Sequence, residues 1–259
     1  MKNYSSKILL GADKFAYEQV PSFKLLDEAL SSRIYDARQP PSIFYHHRNG
    51  GHIAVLDKHL QSDTFSRFDI SQFFNRVTKN KIIKALKTCG FSLIKASEST
   101  AHSVVKTEAG FHLPYGFTQS PAVALLCLNR SQAGKFLGEL DKDILVSVYV
   151  DDIILSHKND PIKLRKVSES LIETFTSVGF PISETRSVIA QPTITAFNIE
   201  LHNNSMALTP ERLIGFHNQV IAGWQSDDVL VGIYNYVLSV NAAQGAEIEH
   251  AISRMQSHR

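Results

Sequence analysis

The sequence predicts an α+β fold in which helices pack against an antiparallel sheet. Two apolar runs, residues 144–148 and 153–155, flank a short polar turn and predict a buried hairpin. Residues 164–178 carry apolar side chains at intervals of three and four, which is typical of a helix that covers one face of a sheet. Residues 194–208 alternate on either side of a turn and predict a second hairpin.

The two ends of the chain carry weaker signals. Residues 22–30 have apolar side chains at helical spacing, and a Gln-Pro-Pro run at 39–41 interrupts this pattern. Residues 42–58 alternate weakly around an Asn-Gly-Gly turn, which predicts a hairpin. From residue 210 onward the apolar spacing is helical, with room for about three helices.

Length and composition are compatible with one large domain or two lobes. A chain of 259 residues with 43% hydrophobic content can bury a substantial core. No uncharged apolar stretch approaches the roughly 18 residues that a membrane span requires, and no early apolar run is long enough for a secretory signal. We therefore expect a cytoplasmic protein with no membrane partner.

The overall charge and the cysteines are weakly informative. The formal net charge of +2 is modest for a protein that holds a polyanion, so local clusters of basic residues matter more than the sum. Cys89 and Cys127 match no metal-ligand spacing. The sequence predicts buried free thiols at both positions.

Paired acids occupy the turn of the first predicted hairpin. Asp151 and Asp152 follow Tyr149 and Val150, between the two apolar runs. Like charges on successive residues repel each other and lose hydration unless a divalent cation or a hydrogen-bond network compensates. An ordinary Asp-Asp turn is the alternative interpretation.

A third acid and a glycine-containing loop precede this turn. Asp69 lies within residues 68–74 (Phe-Asp-Ile-Ser-Gln-Phe-Phe), among strand-forming and aromatic residues. Residues 113–121 (Leu-Pro-Tyr-Gly-Phe-Thr-Gln-Ser-Pro) run into an apolar segment, where Ser120 suits the cap and Pro121 the first turn of a helix. The order is an acidic strand, a glycine loop with a helix, and an acidic hairpin.

Together these segments resemble motifs A, B and C of reverse transcriptases. The Asp-Ile-Ser-any-Phe-Phe spelling and the compact spacing most resemble short prokaryotic members of retron, group II intron-related and abortive-infection or phage-defence types. The resemblance implies a right-hand polymerase with short fingers over 1–64, a palm with motifs A to E over 65–209, and a small or truncated helical thumb over 210–259. Residues 179–186 resemble motif D, and the hairpin from residue 194 resembles the primer grip.

The chemistry that this resemblance implies is two-metal phosphoryl transfer. Asp69 and Asp151 would bridge two Mg²⁺ ions about 3.5–4 Å apart, with Mn²⁺ as a substitute. Asp152 would complete the acidic pocket as a further catalytic and metal-binding acid, and the backbone carbonyl of Ile70 would join the coordination shell. Carboxylate oxygens are the hard ligands that magnesium prefers. For Asp69 the alternative is a buried acid that only caps a strand end.

The resemblance also implies contacts to substrates. Phe74, five residues past Asp69, would act as a steric gate that favours deoxynucleotides; the alternative is a core aromatic beside Phe73. The incoming nucleotide would contact Phe74, Gln119, Ser120 and Arg186. The template and primer groove would be lined by Tyr115, Gly116 and Tyr149. For the glycine loop, a well-formed turn and helix cap is the alternative to direct contact.

Some residues depart from the pattern of the family. Tyr115 replaces a Gln that many members carry, so templating would be unusual. Arg186 replaces a Lys; it keeps a positive charge beside the triphosphate but is a poor proton donor to pyrophosphate. In the predicted fingers, only Arg48 and Lys58 are candidates to contact the triphosphate.

The resemblance therefore implies an RNA-directed DNA polymerase, a nucleotidyltransferase, in a bacterial defence or retron system. Its partners would be deoxynucleoside triphosphates, RNA and DNA including a noncoding RNA, and a second protein subunit or further copies of the chain. A noncatalytic polymerase-like subunit that binds RNA or protein is an alternative, because the fingers and thumb are short. A palm-type nucleotidyl cyclase is another, although the gate and motif B argue against it.

Overall fold

The structure, a computed structural model, describes residues 3–11, 14–37, 41–46, 51–108, 110–223 and 225–257. Its strands are β1 (Tyr4–Gly11), β2 (Lys14–Gln19), β3 (Thr64–Asp69), β4 (Val105–Thr107), β5 (Gly110–His112), β6 (Leu145–Tyr149), β7 (Asp152–His157), β8 (Val188–Gln191), β9 (Thr193–Ala196), β10 (Ile199–His202) and β11 (Ser205–Leu208). Its helices are α1 (Pro21–Ala37), α2 (Gly51–Asp57), α3 (Phe73–Arg76), α4 (Lys79–Thr88), α5 (Leu93–Ser103), α6 (Ser120–Asn129), α7 (Gln132–Gly138), α8 (Pro161–Ser177), α9 (Pro210–Ile221), α10 (Asp227–Val240) and α11 (Ala242–Ser257), with a 3₁₀ turn at Glu184–Arg186.

A four-stranded antiparallel sheet forms the centre of the molecule, in the order β6-β7-β3-β8. The predicted hairpin is confirmed as β6 and β7, which pair from Tyr149 opposite Asp152 back along both apolar runs. Strand β3 pairs with β7 so that Asp69 lies opposite Asp152. The sheet therefore joins two segments that are about eighty residues apart in sequence.

Side chains alternate between the two faces of this sheet. Phe68 and Ile153 belong to a large core that includes buried residues of α4, α6 and α8. Phe65 and Ile154 belong to a second core, formed with β9 to β11 and the helices α9 to α11. Because residues two apart share a face, Asp69 lies on the same side as Phe65. The acids are thus on the face that carries the second core.

Helix α8 confirms the prediction from residues 164–178. The Asp160 side chain accepts a hydrogen bond from the backbone N–H of Lys163 at 2.8 Å, and Pro161 occupies the first turn. Leu171 and Phe175 are fully buried on the sheet-facing side. The helix ends before Gly179, which has a φ of 76°.

The N-terminal region differs from the prediction. Strands β1 and β2 form an antiparallel pair that the sequence analysis missed. The predicted helix at 22–30 extends over Pro21–Ala37. The hairpin predicted for residues 42–58 is wrong in its second half, where Gly51–Asp57 is a helix that buries Val55 and Leu56 in the second core; residues 47–50 lie outside the described ranges.

The predicted second hairpin is a three-stranded meander, β9-β10-β11. The chain reverses at Phe197 and Asn198, which both have positive φ values of 58° and 61°. Two consecutive residues in the left-handed region form the tight turn that suits antiparallel strands. The alternation from 194 to 201 therefore belongs to two short strands and not to one long strand.

The C-terminal residues form three helices, as predicted, within the described part of the chain. Phe216, Val237 and Ile248, one from each helix, are buried in the second core. No helix in the described ranges combines the length and apolarity that crossing a membrane requires. The predicted thiols are free; Cys127 is buried, whereas Cys89 is only half-buried.

Candidate active site at the acidic hairpin

The acidic strand meets the acidic turn where β3 ends and β7 begins. Asp69 lies opposite Asp152 in the register of the two strands, and the backbone N–H of Ile70 donates to the carbonyl of Asp151 at 2.9 Å. Val150 adopts a φ of 57° in the turn, a strained value for a β-branched residue. The structure therefore brings the acidic strand and the acidic turn into direct contact.

Two arginines compensate these acids. The Nη2 and Nε atoms of Arg67 lie 2.8 Å and 2.9 Å from Oδ1 of Asp152. The Nη1 atom of Arg186 lies 3.6 Å from Oδ1 of Asp69. Arg186 is 69% exposed and Asp69 only 11%, so this second pair is open to solvent on the arginine side. Asp152, predicted to complete the acidic pocket, is therefore ion-paired to Arg67.

Sequence reasoning missed Arg67. A signal was available, because a single arginine interrupts the otherwise uncharged residues 64–68, which include two phenylalanines. Alternation along a strand places Arg67 and Asp69 on one face. A charged residue in that position needs a partner, and Asp152 supplies it.

Burial and charge shift the pKa values around the acids. Burial raises the pKa of the Asp152 carboxyl, with Asp69 adding to this, while Arg67 and Arg186 oppose the shift. Burial also raises the pKa of the Tyr115 hydroxyl to about 12, and the carboxylates of Asp151 and Asp69 add to that shift. The charges of both carboxylates therefore act on the same tyrosine.

The donor set fits a divalent cation. Mg²⁺ is commonly bound through one or two carboxylates while substrate phosphates and water supply the remaining ligands. Asp69 and Asp151 offer such a pair. Within the described ranges, no three His, Cys, Asp or Glu side chains are grouped as a metal site.

Ile70 anchors the acidic strand to the segment that resembles motif D. It is fully buried and bridges Ile182, and the backbone N–H of Ser183 donates to the carbonyl of Asp69 at 2.8 Å. These contacts fix the backbone on both sides of Asp69. The carbonyl of Ile70 as a metal ligand stays a prediction.

Phe74 lies beside the cleft. It is 7% exposed, and its ring centroid is 4.8 Å from that of Tyr115 and 5.8 Å from that of Phe73. The ring therefore belongs to an aromatic layer and also reaches the tyrosine that faces the acids. Both the gate and the core interpretation are compatible with this position.

The glycine loop is positioned by the N-terminal hairpin. The backbone N–H of Tyr17 donates to the carbonyl of Tyr115 at 2.8 Å. Gly116 has a φ of 95°, and a Cβ atom there would lie 2.4 Å from the carbonyl oxygen of Tyr17. Close packing against β2 thus accounts for a glycine at this position.

Two polar side chains at the start of α6 are buried without partners. Gln119 is fully buried, and neither its amide oxygen nor its amide nitrogen has a hydrogen-bond partner among the described residues. The hydroxyl of Ser120 is in the same situation. The predicted capping role of Ser120 is wrong, because Ser120 is the first helical residue and makes no capping bond. Buried unpaired polar atoms are rare and call for an explanation.

Tyr149 lies in a different environment, on the side of the second core. Its ring packs against His52 and Phe197, with centroid distances of 6.2 Å and 5.3 Å. His52 in turn lies 3.2 Å from the hydroxyl of Tyr236 on α10. The aromatic residue of the acidic turn is thus connected to the primer-grip-like strands and to the C-terminal helices.

Of the two cations predicted to contact the triphosphate, Lys58 is among the described residues. The Lys58 ammonium donates to the carbonyl of Val146 at 2.8 Å on the central sheet. Arg48 lies outside the described residues. Instead, a cavity of about 530 Å³ next to Tyr115 is lined by Lys7, Lys106 and Gln72. These three residues come from β1, β4 and the segment after Asp69. The sequence analysis did not predict that they line a common cavity.

Solved structures share this fold at low sequence identity. Telomerase from Candida albicans, in complex with the TWJ fragment of telomeric RNA, gives a TM-score of 0.53 and 12% identity over 91% of this chain and 47% of its own. A foamy viral protease-reverse transcriptase in complex with double-stranded DNA gives 0.53 and 16% identity over 96% and 42%. Telomerase from Candida tropicalis gives 0.53 and 13% identity over 92% and 47%.

These likenesses confirm the predicted fold class, a right-hand polymerase with an antiparallel palm sheet packed by helices. The chain spans less than half the length of each of the three structures. At these identities the comparison is one of fold. It carries no statement about substrates.

The profile of one family matches most of the sequence. That family is described as reverse transcriptase (RNA-dependent DNA polymerase), and the match covers residues 19–205. The matched range contains the acidic strand, the glycine loop and the acidic hairpin. This chain therefore belongs to the reverse transcriptase family.

Proposed function

We propose that this protein is an RNA-directed DNA polymerase, which adds deoxynucleotides to a primer by metal-assisted phosphoryl transfer. The observation that carries the proposal is the meeting of Asp69 with the acidic turn, supported by membership of the reverse transcriptase family. Acids from separate strands that converge at one cleft are the arrangement that binds cations for this chemistry.

We assign the metal-binding role to Asp69 and Asp151. Divalent cations held there, Mg²⁺ or in its place Mn²⁺, would supply a lowered pKa of the attacking 3′-hydroxyl and neutralisation of the triphosphate. Backbone hydrogen bonds connect Asp69 and Ile70 to Ser183 and Asp151 and so hold the acidic strand in place. Rigid carboxylates hold cations at a fixed separation, which is what in-line attack requires.

The incoming nucleotide is proposed to lie against the layer formed by Phe74 and Tyr115. The edge of a planar ring beside the sugar position excludes a 2′-hydroxyl, which favours deoxynucleotides over ribonucleotides. Gln119 and Ser120 lie in the same loop and helix start, and their buried polar atoms lack hydrogen-bond partners among the described residues. This supports their assignment as nucleotide-binding residues.

The triphosphate is proposed to extend toward the cavity that Lys7 and Lys106 line. Gln72, on the cavity wall three residues after Asp69, adopts a φ of 52°. Strained non-glycine residues cluster at functional sites. Arg186, exposed and beside Asp69, adds further positive charge and stabilises the charge of the leaving pyrophosphate.

The biological setting is also proposed from the motifs. The Asp-Ile-Ser-any-Phe-Phe spelling supports a bacterial anti-phage defence or retron system, in which a noncoding RNA supplies primer, template or both. Sequencing the nucleic acid that copurifies with the protein, before and after nuclease treatment, tests this directly. Recovery of one structured RNA supports it, and recovery of only random cellular fragments contradicts it.

The activity itself is tested by incorporation of labelled deoxynucleotides. Purified protein with Mg²⁺ and a primed RNA template should extend the primer, and Asp151→Asn should lose at least about 1,000-fold in rate, since a metal ligand is removed. Asp36→Asn, an exposed acid on α1, is the matched control and should retain wild-type activity. If wild type and Asp151→Asn incorporate equally little, a noncatalytic binding role replaces the proposal.

A further inference from the structure

We propose that Arg67 is a positioning residue that clamps Asp152, ties the acidic turn to strand β9 and holds the Asp152 carboxylate away from the metal site. This inference rests on the proposed polymerase function. It assigns a role to a residue that no motif covers. It also separates the two adjacent acids of the turn into a metal ligand and a structural anion.

The guanidinium of Arg67 spans three strands. Two of its nitrogens, Nε and Nη2, contact Oδ1 of Asp152 on β7 at 2.9 Å and 2.8 Å. Its third nitrogen, Nη1, donates to the carbonyl of Thr195 on β9 at 2.8 Å. Each nitrogen of the planar group therefore has a partner, and the group connects the catalytic sheet to the three-stranded meander.

Only an arginine can make this set of contacts. Its donors lie in a rigid planar fork, so two can hold one carboxylate while the third reaches a different strand. A lysine ammonium is a single point donor on a flexible stem and cannot span both partners at once. The geometry therefore predicts that Arg67→Lys keeps the positive charge beside Asp152 but loses the hydrogen bond to Thr195 on β9.

The clamp has an electrostatic reason. Asp152 is mostly buried, with 15% of its side chain exposed, and Arg67 has 24% exposed. A buried carboxylate without a partner is costly, and charge-assisted bonds to an arginine offset that cost. Held in this way, the Asp152 carboxylate is committed to the protein.

The clamp also has a mechanical reason. Val150 is strained in the turn between β6 and β7, so the position of Asp151 depends on how firmly Asp152 is held. Thr195 pairs with Glu200 in the meander that resembles the primer grip. Arg67 therefore fixes the metal ligand relative to the strands proposed to hold the primer.

The test compares Arg67→Met, Arg67→Lys, Asp152→Asn and the double variant Arg67→Met/Asp152→Asn by primer extension. Arg67→Met should lower kcat by about 10- to 100-fold, the usual effect of removing a residue that orients a metal site, with KM for nucleotide nearly unchanged. Arg67→Lys should lie between wild type and Arg67→Met. The double variant should lose no more than Arg67→Met alone, because both changes break one clamp.

A second readout does not depend on turnover. Mn²⁺ binding to the nucleotide-free protein, measured by electron paramagnetic resonance, should tighten several-fold in Arg67→Met, because the Asp152 carboxylate becomes available to the cation. Adding Asp152→Asn should return the affinity to the wild-type level. Arg165→Met, an exposed arginine on α8, is the matched control and should change neither kcat nor Mn²⁺ affinity.

Several outcomes would overturn the clamp. A folded Arg67→Met variant with wild-type kcat would do so. Unchanged Mn²⁺ affinity in that variant would also do so. A double variant whose loss of kcat equals the product of the two single losses would contradict the clamp as well. If Arg67→Met does not fold, as judged by thermal melting, Arg67→Lys and Asp152→Asn decide by the same two readouts. An inactive wild type would contradict the polymerase proposal, yet the Mn²⁺ measurement would still test the clamp.

Discussion

At the scale of single residues, the central sheet holds its charged and polar groups through partners on neighbouring elements. Arg67 meets Asp152 across two strands, and the ring nitrogens of His59 lie 2.7 Å from the hydroxyl of Ser156 and 3.0 Å from that of Ser147. A buried polar group that keeps its hydrogen bonds stabilises one arrangement of the sheet and penalises others. Single substitutions at such positions therefore have predictable signs.

His59 should make the protein sensitive to acid. Complete burial lowers its pKa to about 3, with Lys58 adding to this, from an ordinary value of 6.5. Between these values the unfolded chain binds more protons, so the free energy of unfolding falls as pH falls. We expect a loss of about 2–3 kcal/mol on going from about pH 6.5 to about pH 4.5, measured by urea unfolding.

The matched variants separate this effect from other titrations. His59→Gln should lack this part of the pH dependence, whereas His202→Gln, at an exposed site, should retain the wild-type slope. Identical slopes for His59→Gln and wild type would show that His59 does not carry the effect.

Phe74 should set the preference for deoxynucleotides. Phe74→Val removes the ring beside Tyr115, and we expect the ratio of ribonucleotide to deoxynucleotide incorporation to rise by about tenfold or more. Steady-state incorporation of each nucleotide class measures the ratio. Phe73→Val is the control, because Phe73 packs against Phe180 in the same layer and should leave the ratio unchanged. Equal ratios in both variants would favour the core interpretation of Phe74.

At the scale of elements, the N-terminal hairpin and the glycine loop depend on each other. Strand β2 bridges residue 115 through Ala16, and Gly116 allows the close approach. The contact joins the first twenty or so residues to the cleft. It also forms one wall of the cavity that Lys7 lines.

Gly116→Ala should disrupt this junction. The added methyl group would lie 2.4 Å from the Tyr17 carbonyl oxygen, at a φ of 95° that alanine rarely adopts. We expect the free energy of unfolding to fall by about 1–3 kcal/mol. Gly215→Ala, which meets open space in α9, should be neutral or stabilising. Equal stability of Gly116→Ala and wild type in urea unfolding would contradict the proposed packing constraint.

Elements with strong local signals were predictable, and elements defined by distant contacts were not. Helix α8 and the hairpin at Asp151 have clear caps, periodicity or apolar runs. Strand β1 has no such signal, since its apolar residues, Ile8 among them, are largely exposed. In the site, the acids follow from motif spelling, whereas the roles of Arg67 and Lys7 depend on neighbours contributed by other segments.

At the scale of the whole molecule, the two hydrophobic cores lie on opposite faces of the central sheet. The larger core, with α4, α6 and α8, supports the sheet from one side, and the second core connects the other side to the meander and to α9 to α11. The acids lie at the strand ends on this second side. A nucleic-acid duplex held against the meander and the C-terminal helices would therefore present its primer end to Asp69 and Asp151.

The most direct test of this account is anomalous diffraction from crystals of the protein grown with Mn²⁺ and a nonhydrolysable deoxynucleoside triphosphate. We expect manganese density between the carboxylates of Asp69 and Asp151, with Asp152 still bound to Arg67. Manganese bound elsewhere, or Asp69 and Asp151 turned away from a common ion, would contradict the proposed active site.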